Sequence, residues 1–311
     1  MHNFKTMNYK KQVENFLKAK SKKQKLIVIY GPTGAGKTAM SIEIAKMLDT
    51  EIISTDSRQI YRGMDIGTGK IMQNEMQGIP HHMIDIIDPD VKYSAGMFKK
   101  ESEKIIKALY KKGKIPMLVG GTGLYIDSLI FDMNIGNVPN DSALREKFET
   151  LSTSELFFWL QDIDPEYAGE IHPNNRPYIE RGIEVKITTG TSKRDMREER
   201  KLTYDVLFLT PYTGNREELY IRINTRVEQM FEEGLEQEVT ELIAEGYCLE
   251  DEGMKAIGYQ EFFPYLRGEM TREECIALVQ QHSRNYAKKQ INWFSKYQKY
   301  FAVNTESESQ T

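Results

Sequence analysis

At 311 residues, 40% of them hydrophobic, the chain can bury one large α/β core, or a core carrying an insertion. A formal net charge of −4 excludes bulk attraction to a polyanion, so any nucleic-acid partner has to meet a local basic surface. The two cysteines, Cys248 and Cys275, form no C-x-x-C pair, which excludes a disulfide framework and a cysteine zinc site. No apolar run approaches the ~20 residues of a membrane span, and no apolar stretch precedes Leu26 as a cleaved signal would require. A cytoplasmic monomer without a membrane partner is expected.

Residues 1–25 are lysine-rich and weakly periodic, a basic extension read as a short surface helix or an unstructured leader. The run 26–30, Leu-Ile-Val-Ile-Tyr, is an apolar strand of the kind buried in a parallel sheet. A glycine-rich turn follows, then helical periodicity through Met40, Ile44, Met47 and Leu48. A short strand at 51–55 runs into Asp56. A further apolar stretch covers 83–87, with His81 and His82 just before it in structural roles. Residues 94–112 read as an amphipathic helix stopped by Gly113, and a strand at 115–119 ends in Gly120-Gly121. This alternation predicts right-handed βαβ units and a doubly wound parallel sheet.

The rhythm breaks after Phe131. Residues 132–203 offer no core strand, only helical patterns near 142–151, 154–161 and 176–188. The strand period resumes at 206–209, and 216–301 is helical. The predicted fold is therefore α/β: a P-loop core over 26–131 and 204–302, a helical insertion domain at 132–203, a helical C-terminal region, and a disordered tail at 303–311.

Gly31-Pro32-Thr33-Gly34-Ala35-Gly36-Lys37-Thr38 fits G-x-x-x-x-G-K-[ST], with a strand before it and a helix after it. The glycines let successive N–H groups wrap an anion, and the helix adds its positive end. Lys37 brings a mobile charge to the phosphates, and the Thr38 hydroxyl is placed to ligate Mg²⁺. The motif specifies a diphosphate or triphosphate with Mg²⁺ and no more. A kinase or NTPase would carry a second metal carboxylate where the strand at 115–119 instead runs into two glycines. Asp56, at the carboxyl end of a core strand, borders the ligand crevice. It can hold Mg²⁺, bind a hydroxyl or accept a proton; the alternative is a helix cap. The glycine-rich stretch 63–69 reads as a loop lining that crevice.

Several stretches together resemble the tRNA dimethylallyltransferases, also called tRNA isopentenyltransferases. They are G-P-T-G-A-G-K-T, I-S-T-D-S-R-Q-I-Y-R-G-M-D-I-G-T-G, H-H-M-I-D, V-G-G-T-G-L-Y, H-P-N-N-R, A-I-G-Y-Q-E and S-R-N-Y-A-K-K-Q-I-N-W-F, in order over roughly 26–302. The resemblance implies transfer of a prenyl group from dimethylallyl diphosphate to the exocyclic amine of the adenosine 3′ of the anticodon. It implies Asp56 as the base, with Ser57, Arg58 and Gln59 reading the adenine. Thr122 matches a threonine that contacts the nucleotide or the diphosphate; its alternative is a plain N-cap. Arg222 and Arg226, i and i+4 on one helix, match arginines that reach the diphosphate or the RNA backbone. Arg176 and Arg181 belong to the insertion expected to embrace the anticodon stem-loop. This sequence departs from the family there, with Pro177 and Tyr178 at two positions of the usual pattern.

One basic stretch points to RNA without the resemblance. Residues 281–300 hold Arg284, Lys288, Lys289, Lys296 and Lys299 and no acidic residue, interleaved with Tyr286, Trp293, Phe294, Tyr297 and Tyr300. Cationic and stacking side chains suit a nucleic-acid groove; the alternative is that the aromatics face the core and the lysines only solvate. The rival enzyme class is a P-loop small-molecule kinase.

Overall fold

The computed structural model describes residues 9–133, 141–196, 201–298 and 300. Lys299 and the tail expected at 303–311 lie outside them. The chain divides into two compact units, residues 1–130 with 202–311 and residues 131–201.

The first unit is built on a five-stranded parallel sheet. In chain order its strands are β1 (Lys25–Tyr30), β2 (Ile52–Ser54), β3 (His81–His82), β4 (Met117–Gly120) and β5 (Asp205–Leu209). They lie side by side as β3-β2-β4-β1-β5. The phosphate-loop strand thus sits inside the sheet, covered on both faces, which is why 26–30 reads as unbroken apolar sequence. Register fixes the site. Tyr30 pairs with Gly120, and Ser54 with Val119, so the segments leaving β1, β2 and β4 emerge at one carboxyl edge.

Helices α1 (Tyr9–Lys18), α2 (Lys37–Leu48), α3 (Ala95–Lys111) and α4 (Gly123–Ile130) belong to this unit. Val13 and Phe16 of α1 are buried in the same cluster as Ile27, Ile29 and Leu207, and Lys25 donates to the carbonyls of Leu17 and Ala19 at 2.8 and 2.6 Å. The amphipathic repeat Val13/Phe16 docks this helix as a layer of the core. In α2 the buried residues are Ser41, Ile42, Ile44 and Ala45, while Met47 is exposed.

Contrary to expectation, the apolar stretch 83–87 is not the next strand; His81 and His82 themselves form it. Met83 and Asp85 have φ of 64° and 54°, which breaks extension, and Ile87 makes only an isolated bridge to Tyr61.

The C-terminal helices of this unit are α9 (Arg216–Glu232), α10 (Leu235–Ala244), α11 (Phe262–Leu266) and the 23-residue α12 (Arg272–Phe294). They share a cluster including Val227, Phe231, Val239, Met254, Tyr259 and Val279. The end of α12 packs on the sheet: Phe294 and Tyr297 lie 5.0 and 5.1 Å from the Tyr30 ring.

The second unit holds α5 (Ser142–Glu149), α6 (Thr153–Ile163), α7 (Pro165–Ala168) and α8 (Arg176–Thr189). Ser152 and Glu155 form a capping box at the start of α6, and Asp164 caps α7. Its core joins Phe148, Leu156, Leu160, Tyr167, Ile179 and Ile183.

Candidate active site

The carboxyl edge of the first unit's sheet opens into a cavity of about 340 Å³. Three walls meet there: the phosphate loop, the segment after β2, and the faces of α9 and α12.

Thr33, Gly34, Gly36, Lys37 and Thr38 line the cavity. Gly31, Pro32 and Ala35, the other members of the motif, are buried behind it. The Lys37 ammonium donates to the carbonyls of Gly31 and Pro32 at 3.0 and 2.9 Å. Although part of the side chain's area is open to the cavity, the charged end is enclosed. Burial pulls its pKa down to about 8; Asp56 counteracts this and Arg226 adds to it.

Asp56, Ser57, Arg58 and Gln59 all reach the cavity. Asp56 starts no helix. Its Oδ1 accepts the Arg58 N–H at 2.9 Å, closing an Asx turn that holds the carboxylate at the sheet edge. The Arg58 guanidinium donates to the Glu252 carbonyl at 2.7 Å, so it is tied to the 252–257 loop. Thr122 also proves not to be a plain cap: its hydroxyl accepts the Ser57 N–H at 3.0 Å and donates to the Ser57 hydroxyl at 3.2 Å. It braces the Asp56 turn from behind.

The two arginines of α9 part company. Arg226 lines the cavity, and burial lowers its pKa while Asp56 opposes that fall. Arg222 pairs with Glu218 and borders a separate shallow depression by Tyr212. One helical turn apart is enough to place them on different walls.

Three basic residues expected to face RNA are instead engaged with the protein. Arg176 donates to the carbonyls of Leu151 and Phe148 at 2.8 and 2.5 Å and pairs with Glu180. Arg181 pairs with the buried Glu184, which also holds Arg145. Arg284 donates to Asn224 Oδ1 at 2.6 Å. In the stretch 281–300 most aromatics are core: Phe294 and Tyr297 are buried, and Tyr300 stacks on Phe208 at 5.6 Å. Lys296 is paired with buried Asp127. Lys288 and Lys289 are exposed.

What the sequence reading missed is the inner face of α12. Val279, Ser283, Tyr286 and Gln290, spaced four, three and four apart, form a stripe lining the cavity. Gln290 is buried; its Oε1 accepts the Thr33 N–H at 2.8 Å and its Nε2 donates to the Gly121 carbonyl at 3.0 Å. A Cβ at Gly121 would lie 2.2 Å from that nitrogen, which explains the glycine at the end of β4. Burial and then Asp56 push the Tyr286 hydroxyl up to about 12, so it remains a donor, near Thr122 and Gln290. Ile223, Val227, Met230 and Ile257 give the cavity an apolar wall.

Comparison with known proteins is decisive at this point. Residues 59–297 match the family model described as IPP transferase. The chain belongs to the IPP transferase family. It is 46% identical over 276 residues to a tRNA dimethylallyltransferase of Macrococcus caseolyticus, covering 87% of each chain. It is 44% identical over 274 residues to one of Anoxybacillus flavithermus, again with 87% of each covered. The crystal structure of a Staphylococcus epidermidis tRNA isopentenylpyrophosphate transferase aligns with TM-score 0.64 at 43% identity, covering 88% of this chain and 90% of that one. A eukaryotic dimethylallyltransferase acting on tRNA aligns with TM-score 0.76 at 31% identity, covering 87% and 70%. In this IPP transferase no described helix is long and apolar enough to cross a membrane.

Proposed function

We propose that this chain is a tRNA dimethylallyltransferase. It moves the prenyl group of dimethylallyl diphosphate to the exocyclic amine of the adenosine 3′ of the anticodon and releases pyrophosphate. The observation that carries the reading is that one cavity combines a phosphate loop, an unshielded carboxylate and an apolar wall. A phosphoryl-transfer enzyme needs the first two; a prenyl donor needs all three.

The diphosphate lies along Thr33–Thr38, facing Lys37 and Arg226. The dimethylallyl end rests against Ile223, Val227, Met230 and Ile257. As the allylic C–O bond breaks, its electrons pass to the diphosphate, whose growing charge faces the loop N–H groups, Lys37 and Arg226. The adenine nitrogen forms the new C–N bond to the cation-like carbon. Its proton passes to Asp56, whose Oδ2 has no hydrogen-bond partner among the described residues. The adenine must leave the anticodon stack to reach this point. Ser57 and Gln59 then meet its edge, with Thr122 fixing the turn that carries them. Exposed Lys288 and Lys289 and the helical insertion unit contact the RNA. The enzyme acts as a cytoplasmic monomer.

The donor set fits Mg²⁺. Among the described residues no three His, Cys, Asp or Glu side chains cluster as metal ligands, but the exposed Thr38 hydroxyl borders the cavity. Magnesium commonly takes most of its oxygens from phosphates and water. Thr38 would hold it, and when bound it would offset charge on the diphosphate.

Incubation with labelled dimethylallyl diphosphate, Mg²⁺ and unmodified tRNA, with ATP as competitor, tests the reading. Label should enter tRNA with equimolar pyrophosphate release and no ATP turnover. ATP hydrolysis or phosphoryl transfer without prenylation would instead establish a P-loop kinase.

A further inference from the structure

The segment 63–69 sends Gly67, Thr68 and Gly69 to the cavity wall, yet it has no secondary structure to hold it. One carboxylate from α10 does so. Glu238 Oε2 accepts the N–H groups of Asp65 and Ile66 at 2.9 and 2.7 Å, and its Oε1 accepts that of Gly67 at 3.1 Å. The Tyr259 hydroxyl donates to the same Oε1 at 2.5 Å. Three consecutive amides converging on one anion is the geometry of a nest, here closed by a side chain of the protein itself. Burial, then Glu238, raises the Tyr259 pKa well above the usual tyrosine range, so that hydroxyl stays a donor.

The far end of the loop is pinned separately. Buried Lys70 bonds Asp65 and the Tyr61 carbonyl at 2.6 and 2.7 Å and pairs with Asp85. Between these anchors the loop offers a single group to the site, the Gly69 carbonyl. Arg226 Nη2 and Gln59 Nε2 both donate to it, at 3.2 and 3.1 Å. The guanidinium is pressed so closely there that a Cβ at Gly69 would lie 1.6 Å from Nη2. Among the described residues Arg226 has no carboxylate within ion-pair distance, so this carbonyl is what orients it.

We propose that Glu238 is a positioning residue that, through amides 65–67 and the Gly69 carbonyl, aims Arg226 at the diphosphate. It touches neither substrate. The proposal rests on reading the cavity as a diphosphate site. Without the carboxylate, three loop N–H groups lose a charged acceptor. The loop relaxes, and the arginine loses the template that directs its fork.

Glu238→Ala would strip all four donors of their partner and risks unfolding, so the test uses the isosteric Glu238→Gln. It is compared with Arg226→Gln and the double variant, each measured below its own Tm. The probe is inorganic pyrophosphate with Mg²⁺, followed by calorimetry, alongside KM for dimethylallyl diphosphate and for tRNA. Glu238→Gln should weaken pyrophosphate binding about tenfold and raise the donor KM similarly, as expected for one charge-assisted interaction. The tRNA KM should stay within about twofold. In the Arg226→Gln background the second change should add almost nothing, because both act through one guanidinium. Pyrophosphate binding within about twofold of wild type, or effects that add fully in the double variant, would overturn the proposal. A wild-type enzyme that binds pyrophosphate but prenylates no tRNA would sink the functional reading, while the binding cycle would still decide the role of Glu238.

Discussion

The arginines of the catalytic unit and those of the insertion unit look alike in the sequence and behave differently in the fold. Arg226 leans on a neutral carbonyl at the cavity wall, which leaves its charge uncompensated by any direct ion pair among the described residues. Arg176 and Arg181 are committed to helix-end carbonyls and to Glu180 and Glu184, and so hold α5, α6 and α8 together. A cation can bind an anionic ligand strongly where the protein has not already neutralised it. Residue type alone does not reveal that; the partner does.

The sharpest way to break this contrast is to remove charge from each region. Arg226→Gln should lower kcat/KM for the donor by about 10²-fold, the scale of removing one transition-state donor, whereas Arg222→Ala, already paired with Glu218, should cost less than about threefold. Equal losses would refute the distinction. A pH profile sharpens it next. Lys37, lowered to about 8 by burial, is charged and able to hold the donor below that pH and loses its proton above it. The free-enzyme kcat/KM should therefore be level below about 8 and fall about tenfold per pH unit above it. The fold responds with the opposite sign. Native Lys37 binds fewer protons than unfolded lysine between about 8 and 10.5, so its contribution to stability improves as pH rises through that window.

Smaller effects are expected where cations face solvent or the fold. The double change Lys288→Ala, Lys289→Ala should raise the tRNA KM severalfold and leave the donor KM unchanged. It should also flatten the salt dependence of tRNA binding by about one unit for each phosphate that is no longer neutralised. Arg181→Ala should act on stability, by about 1–3 kcal/mol in denaturant unfolding, because buried Glu184 loses one of its partners while Arg145 remains. A tRNA-binding loss without a stability loss would return Arg181 to the RNA interface.

The parts of this site that were legible in sequence are contiguous ones. Residues 31–38 carry their own geometry, since loop, lysine and helix start are fixed within eight positions. Asp56 was legible because a strand end in a parallel sheet is a place as well as a position. The α12 stripe was not, because Val279, Ser283, Tyr286 and Gln290 have the spacing of any buried helix face, and only the fold shows that it meets the phosphate loop. The aromatics beyond it were half legible: periodicity says that Phe294 and Tyr297 share a face with a neighbour, and the neighbour is Tyr30 rather than RNA. Glu238 lies 171 residues from Gly67, which it holds, a separation that no local pattern can bridge.

The most direct test of the account is single-turnover transfer of label from dimethylallyl diphosphate to tRNA by wild type and by Asp56→Ala. If the carboxylate on the Asx turn takes the amine proton, the variant should still bind pyrophosphate normally and transfer the prenyl group about 10²–10⁴ times more slowly. Transfer by Asp56→Ala at close to the wild-type rate would contradict the mechanism, leaving the phosphate loop without its base.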